Sequence, residues 1–381
     1  MGILPNIILI NLDGFRSDKI DLCPNLKMIK ETSYFFSNMF TVAPYTFAAL
    51  PAVFSGMYPS RNGASAYYNM FNFKKNEITT LTEVMKKAGY YTSCDIIDDS
   101  VVPESGFDEY GIYDEENTKF LKRHSEIIQR LSKKEPFFLF LHNTETHKRL
   151  VRSIVEKYDQ KDNDEEYYKS QKENHERYNS YLPLCDDYVA GILDTLKKSG
   201  IYENTILIFF TDHGTSVGEK KGEKFYGVFT YDYTIHVFCI IHIPKKLPKI
   251  INTQCSTIDI FPTITELTGI KLLDDKFKMI QGKSLLPLIS NPLSKDRDVF
   301  VETGGLYGPW PSPERHNVFC IRVNNKKLIY NDTPQTWEFY ELNNDPNEIN
   351  NKYDDSMKEI ISLKRKLIKF LQENKIETNI S

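Results

Sequence analysis

Short apolar runs alternate with amphipathic segments along this chain, the pattern of a mostly parallel sheet covered by helices. Strands are predicted over 6–12, 91–97, 136–142, 205–211 and 237–243. Between them, Leu81-Thr-Glu-Val-Met-Lys-Lys-Ala reads as a helix closed by Gly89, and the segment from Asp186 to Ser199 as one closed by Gly200. A glycine just past the last helical residue is a common stop, and each helix leads straight into the next strand. Residues 155–180 are densely charged and lack apolar periodicity, so a solvated insertion or exposed helix is expected there in preference to a functional lid. A polar boundary falls near 293–298. Beyond it, 298–301, 318–323, 327–330 and 337–342 read as a small antiparallel sheet, followed by a helix over 356–373. The expected organisation is therefore an α/β catalytic domain over 1–292 with an α+β subdomain over 293–381 packed on it.

Composition narrows the class. The chain has 381 residues, 40% of them hydrophobic, enough to bury one large core and a smaller appended unit. The longest apolar runs, such as Phe137-Phe-Leu-Phe-Leu141, fall far short of the roughly 20 residues that cross a bilayer, so no membrane anchor is expected. The first strand begins within a few residues of Met1, which leaves no room for a signal peptide and points to the cytoplasm. Six dispersed cysteines read as reduced, mostly buried thiols. The net charge of −4, with both signs intermixed, argues against a nucleic-acid partner. The oligomeric state is not encoded in any of these features.

Candidate chemistry sits at strand ends. Thr205-Ile-Leu-Ile-Phe-Phe210 runs into Thr211-Asp-His-Gly214, and Pro5-Asn-Ile-Ile-Leu-Ile-Asn-Leu12 runs into Asp13-Gly14. One Asp-His-Gly could serve a turn alone. Two buried parallel strands that end alike would bring Asp13, Asp212 and His213 together at the carboxyl edge of a sheet, as a set of metal ligands.

Further stretches carry a resemblance. Cys23-Pro-Asn-Leu26, Ser55-Gly-Met-Tyr-Pro-Ser-Arg-Asn-Gly63, Gly106-Phe-Asp-Glu109, Thr211-Asp-His-Gly214, Asp259-Ile-Phe-Pro-Thr263, Gly282-Lys-Ser-Leu-Leu-Pro287 and Leu342-Asn-Asn-Asp-Pro-Asn-Glu348 resemble the sulfatase branch of the alkaline phosphatase superfamily, in the family's order. That implies an alkaline-phosphatase-like fold and one divalent metal ion. The chain departs from the family where a sulfatase carries the Cys or Ser that becomes formylglycine. Here the position is Thr46, with Ala48 and Leu50 in place of the family's Pro and Arg. Threonine cannot yield that aldehyde, because its methyl would leave a ketone. Thr46-Phe-Ala-Ala-Leu-Pro-Ala-Val-Phe-Ser55 is instead similar to the nucleophile helix of phosphoethanolamine transferases.

The resemblance implies a metal held by Asp13, Thr46, Asp212 and His213, with Thr46 as nucleophile at a helix N-terminus. The alternative for Thr46 is a plain helix cap. Gly14 removes one carboxylate of the usual sulfatase pair and His213 adds an imidazole, which favours Zn²⁺ or Mn²⁺ over Ca²⁺ or Mg²⁺. His147 and His236 are the expected catalytic histidines on the substrate side, with His142, expected to bind substrate, ranked below them because strand alternation turns it inward. Lys224 resembles a substrate-binding lysine, Arg16 and Asp18 are expected to support the site, and Trp310 or Tyr307 to offer a stacking surface. The expected activity is cleavage of a phosphoester, preferably a phosphodiester, through a phosphothreonine, on a small-molecule or glycan- or lipid-derived substrate. The alternatives are a sulfuric ester hydrolase and a catalytically silent binding homologue.

Overall fold

The computed structural model describes residues 4–158, 164–291, 295–306, 309 and 316–380. Strands β1 (Asn6–Leu12), β2 (Tyr34–Phe40), β3 (Tyr91–Ile96), β4 (Glu109–Ile112), β5 (Phe137–Asn143), β6 (Thr205–Phe210), β7 (His236–His242), β8 (Lys249–Ile251) and β9 (Cys255–Ser256) form one sheet. Its order is β4-β3-β5-β1-β6-β7-β2-β8, with β9 also paired to β2. All neighbours pair in parallel except β7, which is antiparallel to both β6 and β2. The three central strands β5, β1 and β6 are buried along their whole length, which is why they read as unbroken apolar runs. Alternate residues feed two cores: Ile8 and Ile10 join the cluster on one face, Ile7 and Leu9 that on the other.

Five strands fall within a residue of their predicted ends. β2 escapes a pattern reading because Ser37-Asn38 interrupts it, at the point where its register against β7 shifts between Phe36 and Met39. β4, β8 and β9 are too short to carry a period.

The charged segment takes the helical form expected as one alternative, and the correction is that part of it is buried. It is helical, over Glu145–Tyr158, Asp164–Lys169 and Gln171–Lys198, and the last of these starts fifteen residues before the predicted Asp186. It also reaches inward. Tyr158, Tyr167, Asn174 and Tyr178 are buried, the tyrosine rings filling core space while the polar ends find partners. Arg16 N donates to Tyr178 Oη at 2.8 Å, and Tyr167 Oη donates to the Lys224 carbonyl. The segment thus props the loops that follow β1 and β6. Sparse aromatic anchors among charges leave no periodic stripe, so the sequence pattern hides them.

The C-terminal unit matches its prediction closely. Strands β10 (Val299–Gly304), β11 (Asn317–Val323), β12 (Lys326–Asn331) and β13 (Thr336–Glu341) form an antiparallel sheet in chain order. The helix Lys358–Glu373 buries Ile360, Leu363 and Leu367 against Phe319, Ile321 and Leu328. The expected boundary at 292–293 lies outside the described residues. Lys327 ties the unit to the larger sheet: fully buried, it pairs with Asp232 just before β7, pairs with Glu348 at 2.6 Å, and donates to the Thr230 carbonyl. Removing it takes the charge partner from Glu348 and leaves Asp232 with Arg322 alone, 3.3 Å away, and breaking a buried pair in this way costs about 3–5 kcal/mol. Lys327→Met is therefore expected to lower unfolding free energy by about that amount in urea denaturation, and a loss below about 1 kcal/mol would contradict the role given to this lysine.

All six cysteines are free and buried, as expected. Among the described residues, no helix is long and apolar enough to cross a membrane.

Candidate active site

The site lies where β1, β5 and β6 end side by side. The parallel register sets Asn11 opposite His142 on one side and opposite Phe210 on the other, so the residues that follow emerge together. Asp13 leaves β1, Asp212 and His213 leave β6, and His142 stands on the last turn of the pleat of β5. Thr46 opens the helix Thr46–Ser55, with Tyr45 as its N-cap, so the cap reading of Thr46 fails. The Thr46 hydroxyl instead lies 3.3 Å from Asp13 Oδ2 and 3.2 Å from His213 Nε2.

Glycine is required beside this cluster. Gly14 has φ of +61°, and a Cβ there would come within 2.8 Å of Thr215 Oγ1 and 3.0 Å of the His147 ring. A second aspartate at this place, as in the calcium-dependent pattern, has no room.

Hydrogen bonds orient the ligands. His213 Nδ1 lies 2.7 Å from the Gly214 carbonyl, which can only accept, so Nδ1 carries the proton and Nε2 turns its lone pair toward Thr46 and Asp13. His142 Nε2 donates to Asp13 Oδ2 at 2.7 Å. Asp212 Oδ1 accepts from the backbone N–H of His213 at 3.0 Å, and the Asp212 N–H donates to Asn11 Oδ1 at 3.0 Å. Burial by itself would raise the Asp13 pKa. The charge of His147, then the hydrogen bond from His142 and its charge, outweigh it and hold the carboxyl well below the usual carboxylate range.

Two carboxylate oxygens remain. Asp13 Oδ1 and Asp212 Oδ2 are buried and have no hydrogen-bond partner among the described residues. Orphaned buried carboxylate oxygens are costly unless a cation satisfies them. Ligand atoms of Asp13, His142 and Asp212 lie within 4.8 Å of one another, and His213 Nε2 is 3.7 Å from Asp13 Oδ1 and 3.8 Å from Asp212 Oδ2. This donor set of carboxylates and imidazoles fits one divalent metal ion, for which Asp13, Asp212 and His142 or His213 are the candidate ligands beside Thr46.

His147, in the first turn of its helix, stands over the cluster. Its Nδ1 is 3.6 Å from Asp13 Oδ1, and its Nε2 has no hydrogen-bond partner among the described residues. Arg16 pairs with Glu219 and with Asp18 at 2.9 Å and donates to the Thr215 carbonyl at 3.1 Å, which clamps the loop after β6 to the loop after β1.

Other expectations change. His236 is not assembled with Thr46: its Nε2 lies 2.8 Å from the Ser37 carbonyl, its ring stacks on Phe40, and it lines a separate cleft of about 1020 Å³ with Arg16, Asp232 and Arg322. Burial lowers its pKa, against the pull of Asp232. His142 proves closer to the chemistry than its ranking, because at the lip of a sheet either face borders the site. The role expected of it was substrate binding; it supports Asp13 instead. Lys224 is half-buried, and the residue of its loop that stands against His147 and His213 is Tyr226. No motif marks Tyr226 in the sequence. Trp310 and Tyr307 lie outside the described residues.

A mostly parallel sheet thus carries a metal-type cluster and a threonine hydroxyl at its carboxyl edge. The model of the sulfatase family matches residues 5–270, and that of the C-terminal region of N-sulphoglucosamine sulphohydrolase matches 222–376. The chain belongs to the sulfatase family. It is 29% identical over 209 residues to an N-acetylglucosamine-6-O-sulfatase of Bacteroides thetaiotaomicron, covering 52% of this chain and 36% of that protein. It is 28% identical over 183 residues to human arylsulfatase K, covering 45% and 32%. The chain thus spans about a third of the curated relatives it matches. Among solved structures, one determined in complex with its substrate D-glucosamine-2-N,6-O-disulfate superposes with a TM-score of 0.74 at 17% identity, covering 98% of both chains. The phosphonate monoester hydrolase of Silicibacter pomeroyi superposes at 0.75 with 15% identity, covering 97% of this chain and 96% of that one. The names of the relatives favour a sulfuric ester hydrolase over the phosphoester transferase expected from the threonine motif.

Proposed function

We propose that this protein hydrolyses an anionic ester by displacement onto Thr46, and that the ester is a phosphoester borne on a small molecule or glycan. The single observation that carries the nucleophile is the Thr46 hydroxyl, held between Asp13 and His213 at the head of a ten-residue helix. Zn²⁺ or Mn²⁺ bound by Asp13, Asp212 and His213 would supply Lewis acidity at the hydroxyl and at the ester oxygens. Thr46 Oγ1 attacks, its proton passing to Asp13 Oδ2, 3.3 Å away. Backbone N–H groups at the start of the helix favour the negative charge that gathers there. His147 Nε2, which has no hydrogen-bond partner among the described residues, would give a proton to the departing alcohol oxygen. Water then releases the group from Thr46.

Phosphorus is chosen on the chemistry of residue 46, since a threonine offers a hydroxyl but no route to formylglycine. The second reading is sulfuric ester hydrolysis. The names of the relatives support it more strongly than they support the first, and a sulfated sugar is the substrate named for one structural neighbour.

One screen separates the two. The metal-loaded protein, prepared free of host sulfatase, is assayed on aryl phosphodiester, phosphomonoester and sulfate esters. Turnover of a phosphoester above that of the sulfate is expected. Sulfate turnover equal to or above it would move the assignment to the second reading.

A further inference from the structure

Tyr226 stands beside both imidazoles of the site. Its ring centroid lies 4.6 Å from that of His213 and 5.0 Å from that of His147. It is half-buried, and with Phe47 and Tyr67, also half-buried, it packs against Ala43, Tyr45 and Ala48, around the opening turn of the helix that carries Thr46. Tyr67 is itself fixed. It stacks on Tyr45 at 4.3 Å, and two glycines make room for it: a Cβ on Gly227 would fall 2.6 Å from Tyr67 Oη, and one on Gly305 2.9 Å from Tyr67 Cβ. Three aromatic side chains therefore pack about the opening turn of the helix that carries Thr46.

In the proposed reaction the polar groups of the site hold the anion, so an aromatic wall beside them would meet what the anion is attached to. Aromatic faces suit flat or ring-shaped partners, including the C–H face of a sugar, and add little for a small acyclic group. We propose that Tyr226, flanked by Tyr67 and Phe47, is the specificity-determining residue that receives the alcohol part of the ester by stacking, and that it selects pyranosyl or aryl alcohols. This inference deepens the reading above and rests on it.

Two measurements test it. In the first, kcat/KM is compared between an aryl ester and a methyl ester of the same anion. Tyr226→Ala is expected to lower the aryl-to-methyl ratio by about two- to tenfold, through KM more than kcat, while Tyr226→Phe keeps the wild-type ratio. An unchanged ratio in Tyr226→Ala overturns the proposal. Tyr226→Leu, which fills the space against His213 without an aromatic face, serves should the alanine variant fail to fold, and the same fall is expected of it. The second measurement needs no turnover: saturation-transfer NMR with methyl glucopyranoside and phenol as probes, on wild-type and variant protein. Binding by the wild type that is lost in the variant supports the role. Equal binding in both, or none in the wild type, overturns it. Should the wild type hydrolyse neither ester, the proposed reaction fails while the binding measurement still decides the role of Tyr226.

Discussion

Thr46→Ala is expected to cut turnover by about 10⁴-fold or more while the protein stays folded and keeps its metal, because the loss is that of an attacking group. A threonine that merely capped its helix would instead cost about 1 kcal/mol of stability and leave turnover near normal. The structure separates the two roles: Tyr45 is the N-cap, and Thr46 Oγ1 faces Asp13 and His213. Thr46→Ser retains the hydroxyl and is expected to keep part of the activity. Steady-state kinetics beside a thermal melt checks all three statements. Near-normal turnover by Thr46→Ala with a small fall in melting temperature would overturn the assignment.

Asp212→Ala is expected to strip the bound metal and abolish activity, since it removes a carboxylate whose Oδ2 is buried without a partner. His213→Ala is expected to do the same by removing the Nε2 lone pair. Both variants should fold, because β6 is packed by Thr205–Phe210 and not by the residues after it. Metal content by inductively coupled plasma mass spectrometry, with circular dichroism as the control, reads the outcome. A full metal equivalent in both variants would contradict the ligand assignment.

What the sequence disclosed followed from where its signals are strong. Asp13, Asp212 and His213 were legible because each directly follows an unbroken apolar strand, and parallel strands send such residues to one edge. Thr46 was legible from its motif, and the small C-terminal sheet from its spacing. His142 was placed too low, since strand alternation says which face a side chain takes but not that both faces meet at the carboxyl edge. The buttressing tyrosines Tyr167 and Tyr178 were missed because a few aromatic anchors in a charged run leave no period. His236 was drawn to the site by its place at the start of β7, yet its contacts with Ser37 and Phe40 turn it to another cleft. Tyr226 carries no motif and became visible only when the loop after β6 was seen to fold back over the imidazoles.

The most direct test of the account is the mass of Thr46 during turnover. The metal-loaded protein is mixed with an activated aryl ester, quenched in acid within the steady state, and digested for peptide mass spectrometry at a mass accuracy that separates a phosphoryl from a sulfuryl group. The account predicts a covalent phosphoryl group on the peptide containing Thr46, localised to that residue and absent from Thr46→Ala. Vigorous turnover with Thr46 unmodified, or with the group on another residue, would contradict it.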